Sequence, residues 1–223
     1  MKWPTSIFLS AALLAGCSSG PKYTVDEKLL ASATTDEKRG MLAAQSDLNL
    51  AKEELKQAKA DLDSCERDLD IANNEYKTAK LQRDTAKLQL DGAKQSGDSN
   101  RKNQAERDVH VAEMGVKAAD SKVDWLEKKK KWLKRTRDAA EYHASSAAAR
   151  YELEKAKLVT AKGMKPNPDF NILTYETQDL ESSKKFSEAR LDADKTKADV
   201  LDLERKYQER NQQYTEAKAT ASH

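Results

Sequence analysis

Proline is almost missing from this chain: Pro4, Pro21, Pro166 and Pro168 are its four, and residues 22–165 contain none. Glycine is scarce as well, with 7 in 223 residues. These two residues most disfavour helix interiors, so their absence leaves long stretches free to run as unbroken helix. Aromatic residues make up 6% of the chain and mean hydropathy is −0.91, which excludes a thick globular core. No apolar run approaches the ~20 residues that a membrane-spanning helix needs. Neither sign of charge dominates: 40 Lys and Arg oppose 38 Asp and Glu, interspersed rather than blocked. The one-sided basic excess of a nucleic-acid binder is therefore absent, and no nucleic-acid partner is expected.

Catalytic constellations are missing too. No Gly-rich phosphate loop and no nucleophile elbow occurs. The three histidines, His110, His143 and His223, have no second ligand at metal-binding spacing. Glu106 and His110 share a helix face, as exposed charges often do. The expectation is a protein without catalytic residues, metal or cofactor, and not an enzyme.

What is present begins at the N-terminus. Lys2 supplies a positive charge, and Ile7-Phe8-Leu9 and Ala11-Ala12-Leu13-Leu14 form a short apolar stretch followed by small residues. This is a signal-peptide layout. The next residues read Leu14-Ala15-Gly16-Cys17, then Ser18-Ser19-Gly20. That segment resembles the lipobox of bacterial lipoproteins, which signal peptidase recognises and cuts before the cysteine. The resemblance implies a signal peptide over 1–16, with Leu14, Ala15 and Gly16 as its recognition residues. It also implies that Cys17 is lipidated with acyl chains such as palmitate, holding the chain to membrane lipid, since several chains anchor where one is marginal. Ser18 follows the cysteine, where enteric-type sorting reads Asp as inner-membrane retention and Ser as export. The expected location is the periplasmic side of the outer membrane, the alternatives being the outer leaflet of the inner membrane or the cell surface.

The remaining 207 residues (223 less 16) are about half Ala, Glu, Lys, Leu and Arg, and 35% of the chain is charged. That composition belongs to long helices and coiled coils. Turn signals at Ser96-Gly97-Asp98-Ser99-Asn100 and Gly163-Met164-Lys165-Pro166-Asn167-Pro168 divide it. The reading is a lipidated tether over 17–23, a short N-terminal helix over 24–38, a three-helix rod over 39–219 and a tail over 220–223. The rod helices are expected at about 41–95, 100–162 and 171–219. Thr24–Glu27 and Thr34–Glu37 both fit a capping box.

The first long segment repeats Leu48, Leu55, Leu62, Leu69, Tyr76, Arg83 and Leu90, each followed three residues on by Ala51, Ala58, Cys65, Ala72, Ala79, Ala86 and Ala93. Alternating steps of three and four make a coiled-coil seam. Folding the chain back at Gly97-Asp98 pairs positions whose numbers sum to 195. Large then meets small: Leu55 faces Ala140, Ala72 faces Val123 and Ala79 faces Val116. The second segment carries another stripe, Val111, Ala118, Trp125, Trp132, Ala139 and Leu153, so it needs two neighbours. Turning back at Pro166–Pro168 brings Trp125 near Tyr207. The fold class is all-α, an elongated antiparallel coiled-coil bundle of three long helices.

Two surface features remain. Lys128, Lys129, Lys130 and Lys131, with Lys134 and Arg135, form a candidate patch for a polyanion or protein partner, or a solvated face. Cys65 is unpaired once Cys17 is acylated, and is a candidate for an intermolecular disulfide or a small buried thiol. The chain ends Thr220-Ala221-Ser222-His223 rather than in the Lys or Arg that murein lipoproteins join to peptidoglycan, so peptidoglycan contact is expected to be non-covalent. The functional expectation is a structural scaffold of the cell envelope, with a protein partner and a homo-oligomer both possible. The alternative is a docking subunit of an envelope transport, secretion or motility complex.

Overall fold

The computed structural model describes residues 20–221. The lipobox-like residues Leu14, Ala15, Gly16 and Cys17 lie outside the described residues. Three helices carry most of the chain: α1 (Arg39–Ser96), α2 (Ser99–Ala161) and α3 (Ile172–Ala221). No strand occurs among the described residues. The all-α, three-helix fold that the heptads imply is the fold adopted.

Each turn has a local cause. Gly97 closes α1 with φ +72°, a left-handed conformation that glycine adopts without strain. Asp98 then caps α2, its carboxylate accepting from the backbone N–H groups of Asn100 and Arg101. At the other end of α2, Gly163 has φ +67°, its N–H donates to Thr160, and the Met164 N–H donates to Val159. These two bonds and the packing of Met164 beside Val159 form a Schellman ending.

At ~1.5 Å per residue, the 63 residues of α2 make a rod about 95 Å long. Helix α2 lies between α1 and α3, and no α-carbon of α1 comes within 8 Å of one of α3. The arrangement is an open layer around a central helix. Burial follows from it: α2 holds most of the buried side chains, while α3 buries Tyr175, Ala193 and Val200.

The α1/α2 seam keeps the expected register to within one or two residues over its middle. Glu54 meets His143, Glu66 meets Lys130 and Glu75 meets Lys122, at 2.7, 2.9 and 2.6 Å. Most of the buried seam residues of α1 are small, with Ala51 and Ala72 at 0% exposure; Leu62 is buried with them, and Leu48, Leu55 and Leu69 are half-buried. Across the other interface Trp125 stacks on Tyr207, ring centres 5.5 Å apart and 8° from parallel, as the second stripe anticipates. Spin labels at residues 55 and 140, with Cys65→Ala, are expected within about 20 Å, since packed axes are 8–10 Å apart. A separation beyond about 40 Å by pulsed electron resonance would mean that α1 and α2 do not fold back on each other.

Residues 24–38 depart from the expected helix. They contain one 3-10 turn, Glu27–Leu30, preceded by extended Asp26, and hydrogen-bonded turns, with the remaining residues in no regular element. Asp26, not Thr24, caps that turn, accepting from the Lys28 N–H at 2.9 Å. Thr34 and Glu37 do form the reciprocal box: Thr34 N–H donates to the Glu37 carboxylate at 2.7 Å, and Glu37 N–H to the Thr34 hydroxyl at 3.3 Å. At the start of the segment the Val25 N–H goes to Glu152 of α2 and the Thr24 carbonyl accepts from Tyr175 of α3, so these two backbone groups are not spent on a helix.

Candidate functional site

The densest constellation of polar and apolar contacts lies where residues 20–38 cross the joined ends of α2 and α3 as a strap. Val25, Leu30 and Ala33 are buried against Leu153, Ala156, Leu158, Val159 and Tyr175. Tyr23 and Phe170 flank Tyr175, with ring centres 5.9 and 5.7 Å away. Burial raises the Tyr175 phenol above its ordinary pKa, and its O–H donates to the Thr24 carbonyl at 3.1 Å.

A buried ion pair holds the strap from below. Glu152 is 7% exposed and Lys155 4%, and the ammonium donates to the carboxylate at 2.8 Å. The other carboxylate oxygen accepts from the Val25 N–H at 2.7 Å. Glu27 closes the group from above, accepting from the Tyr151 hydroxyl at 3.2 Å and lying 4.0 Å from Lys155. Gln178 exchanges hydrogen bonds with the Tyr23 backbone, accepting from its N–H and donating to its carbonyl. Glu37 pairs with Lys162 at 3.0 Å. Its carboxyl is held below the usual range by the Thr34 backbone N–H first and by Lys162 next.

Beside the strap a cleft of about 520 Å³ is lined by Gly20–Tyr23, Tyr142 and Ser145 of α2, and Lys185 of α3. A second groove, about 620 Å³, runs over α2 between α1 and α3, floored by Ala112, Gly115, Ala118 and Ala119. Trp125 lies further along; its indole N–H is buried and has no hydrogen-bond partner among the described residues.

The mid-rod basic patch is divided among neighbours. Lys128 pairs with Asp199 of α3 at 2.7 Å, Lys130 with Glu66 of α1 at 2.9 Å and Arg135 with Asp192 of α3 at 3.3 Å. Lys129 sits over the Trp125 ring. Lys131 and Lys134 are exposed. Half of the patch, Lys128, Lys130 and Arg135, thus fastens α2 to its two partners. Cys65 is 1% exposed, with its thiol 3.7 Å from the Leu126 carbonyl oxygen, and burial raises its pKa. Another chain reaches that thiol only if the seam opens. Among the described residues no cluster of three His, Cys, Asp or Glu side chains is placed to hold a metal. No described helix is long and apolar enough to cross a membrane.

Sequence reasoning missed Glu152, Lys155, Gln178 and the whole strap. Leu153 belongs to the second apolar stripe, but Glu152, Glu154 and Lys155 around it read as ordinary exposed helix surface. The available signal was apolar density: Leu153, Ala156, Leu158 and Val159 cover more of α2 than two neighbours can bury, and Val25 and Leu30 had no assigned partner.

No known protein family, curated protein or solved structure matches the chain. The class that the fold defines is a three-helix, all-α rod with a strapped end.

Proposed function

We propose that this protein is a lipid-anchored scaffold of the bacterial cell envelope, held by acylated Cys17 on the periplasmic side of the outer membrane. The lipobox-like residues Leu14-Ala15-Gly16-Cys17 carry the anchoring reading. One structural observation supports the scaffold role. Three residues after Cys17 the chain joins a strap fastened to the rod by the Glu152–Lys155 pair, Gln178 and the Val25–Leu30 contacts. An anchor there is joined to the rod within three residues of the fastened strap, as a scaffold requires. The polar groups of that site are spent on one another, and no catalytic step is assigned to them.

Growth with a radiolabelled fatty acid is expected to label the wild-type protein and leave Cys17→Ala unlabelled. Inhibiting lipoprotein signal peptidase is expected to leave a precursor larger by 16 residues. A wild-type protein that takes up no label would sink the anchored reading.

A further inference from the structure

We infer that the rod lies along the lipid surface that anchors it, with the outer face of α3 turned toward that surface. This rests on the lipid anchor at Cys17. The direction of the strap carries the argument. From Val25 to Glu37 its partners on α2 advance toward the helix end, from Glu152 through Lys155 to Lys162. Traced backward, the strap therefore runs away from that end, and Gly20 shares a cleft with Tyr142, Ser145 and Lys185. Ser145 precedes the last residue of α2, Ala161, by 16 positions, which is about 24 Å along the axis. The chain thus leaves the rod from its side.

Cys17 is three residues from Gly20 and reaches at most about 11 Å from it when fully extended. A rod standing on its strapped end would hold Gly20 beyond the level of Glu152, the partner of Val25, which is 9 positions or about 14 Å from the end of α2 and already outside that reach. With Gly20 as far along as Ser145, the axis rises no more than about 30° from the surface. Most of the rod then runs beside the lipid.

The tether also selects the face. Helix α3 leaves Leu173, Leu180, Leu191 and Leu201 exposed, at 60, 71, 60 and 55%. At ~3.6 residues per turn, Leu173, Leu180 and Leu191 fall on one line and Leu201 about 80° to its side, a face about 42 Å long. Buried Tyr175, Ala193 and Val200 occupy the opposite side, toward α2. Leu173 borders the same cleft as Gly20. Nearby Lys184 and Lys185 have stems long enough to lie along apolar surface while their ammonium groups stay in water. Helix α1 carries a comparable line, Leu50, Ile71, Leu81 and Leu88. It is disfavoured because the strap is fastened to α2 and α3, and Gly20 lies beside α3.

The test uses the full lipidated chain in vesicles of phosphatidylethanolamine and phosphatidylglycerol containing a lipid-borne quencher. Fluorophores are placed one at a time on cysteines introduced at 180, 191 and 201 of α3 and at 81 and 88 of α1, in a Cys65→Ala background. Cys17, as a thioether, takes no label. Quenching is expected to be several-fold stronger on α3 than on α1 and nearly equal from 180 to 201. Quenching that decays from 180 to 201, or that is stronger at 81 and 88, overturns the recumbent orientation. So does a two-copy assembly in detergent, detected by sedimentation, that shields 180 and 191. The mass of the N-terminal peptide separates the two readings: an unacylated Cys17 defeats the anchor itself, whereas acylation with the wrong quenching pattern defeats only the orientation.

Discussion

Glu152→Ala is expected to release the strap while leaving the three long helices folded. The substitution leaves the Lys155 ammonium, 4% exposed, with Glu27 at 4.0 Å in place of its close partner, and removes the acceptor of the Val25 N–H. Breaking a buried ion pair by deleting one partner typically costs about 3–5 kcal/mol. The strap can lift and admit water to Lys155, so the observed loss is capped by what strap docking contributes. The effect should therefore appear as local opening. Hydrogen exchange at the Val25 amide is expected to accelerate on the order of 100-fold, about 3 kcal/mol at 1.4 kcal/mol per decade. Protease cleavage should concentrate within residues 20–38. Replacing both partners, as Glu152→Leu with Lys155→Met, removes the charges together and should restore protection, since an apolar pair of similar volume often matches or exceeds a buried ion pair. Unchanged Val25 exchange in Glu152→Ala would show that the carboxylate does not hold the strap.

Leu126→Ala is expected to be the most damaging single change in the middle of the rod. Leu126 is 2% exposed and packs with Leu62, Cys65, Ala72 and Leu133. Large-to-small changes at such sites cost about 2–5 kcal/mol, because neighbouring helices cannot collapse fully into the void. Ala72→Leu attacks the same layer from the other side. Ala72 has no exposed surface, so added bulk must displace neighbours, at about 1–3 kcal/mol. Ala79 presents the contrast. The heptad places it as another tight small residue, yet it is half-buried and borders the groove between α1 and α3. A leucine there can turn into open space, so Ala79→Leu should cost less than Ala72→Leu. Glu113→Gln, which loses a 3.3 Å surface pair with Lys87, should shift stability by no more than about 1 kcal/mol. Thermal melts followed by circular dichroism should rank Leu126→Ala lowest in Tm, then Ala72→Leu, then Ala79→Leu and Glu113→Gln. A neutral Ala72→Leu would mean that α1 and α2 are not closely packed there.

The contrast between Ala72 and Ala79 shows how far the seam could be read in advance. Both occupy the same heptad position with large residues opposite, and the register that pairs them is nearly the observed one. Whether a seam position is closed depends on what stands beside it, and α3 leaves the distal part of α2 half open. For the same reason the basic run 128–131 read as one patch, although alternate lysines reach opposite neighbours, Asp199 on α3 and Glu66 on α1.

The sequence by itself determined the long helices, their breaks and their antiparallel pairing. These follow from the scarcity of proline and glycine, from heptad spacing and from large residues matched to small ones, all readable along a line. Two stripes on α2 already called for two neighbours, but only the tertiary structure decided that α1 and α3 stay apart. It alone made Glu152 and Lys155 a buried lock and directed the strap back along the rod's side. Burial of a charge and the direction of an irregular segment leave no periodic trace, because both depend on which surfaces distant parts of the chain bring to cover them.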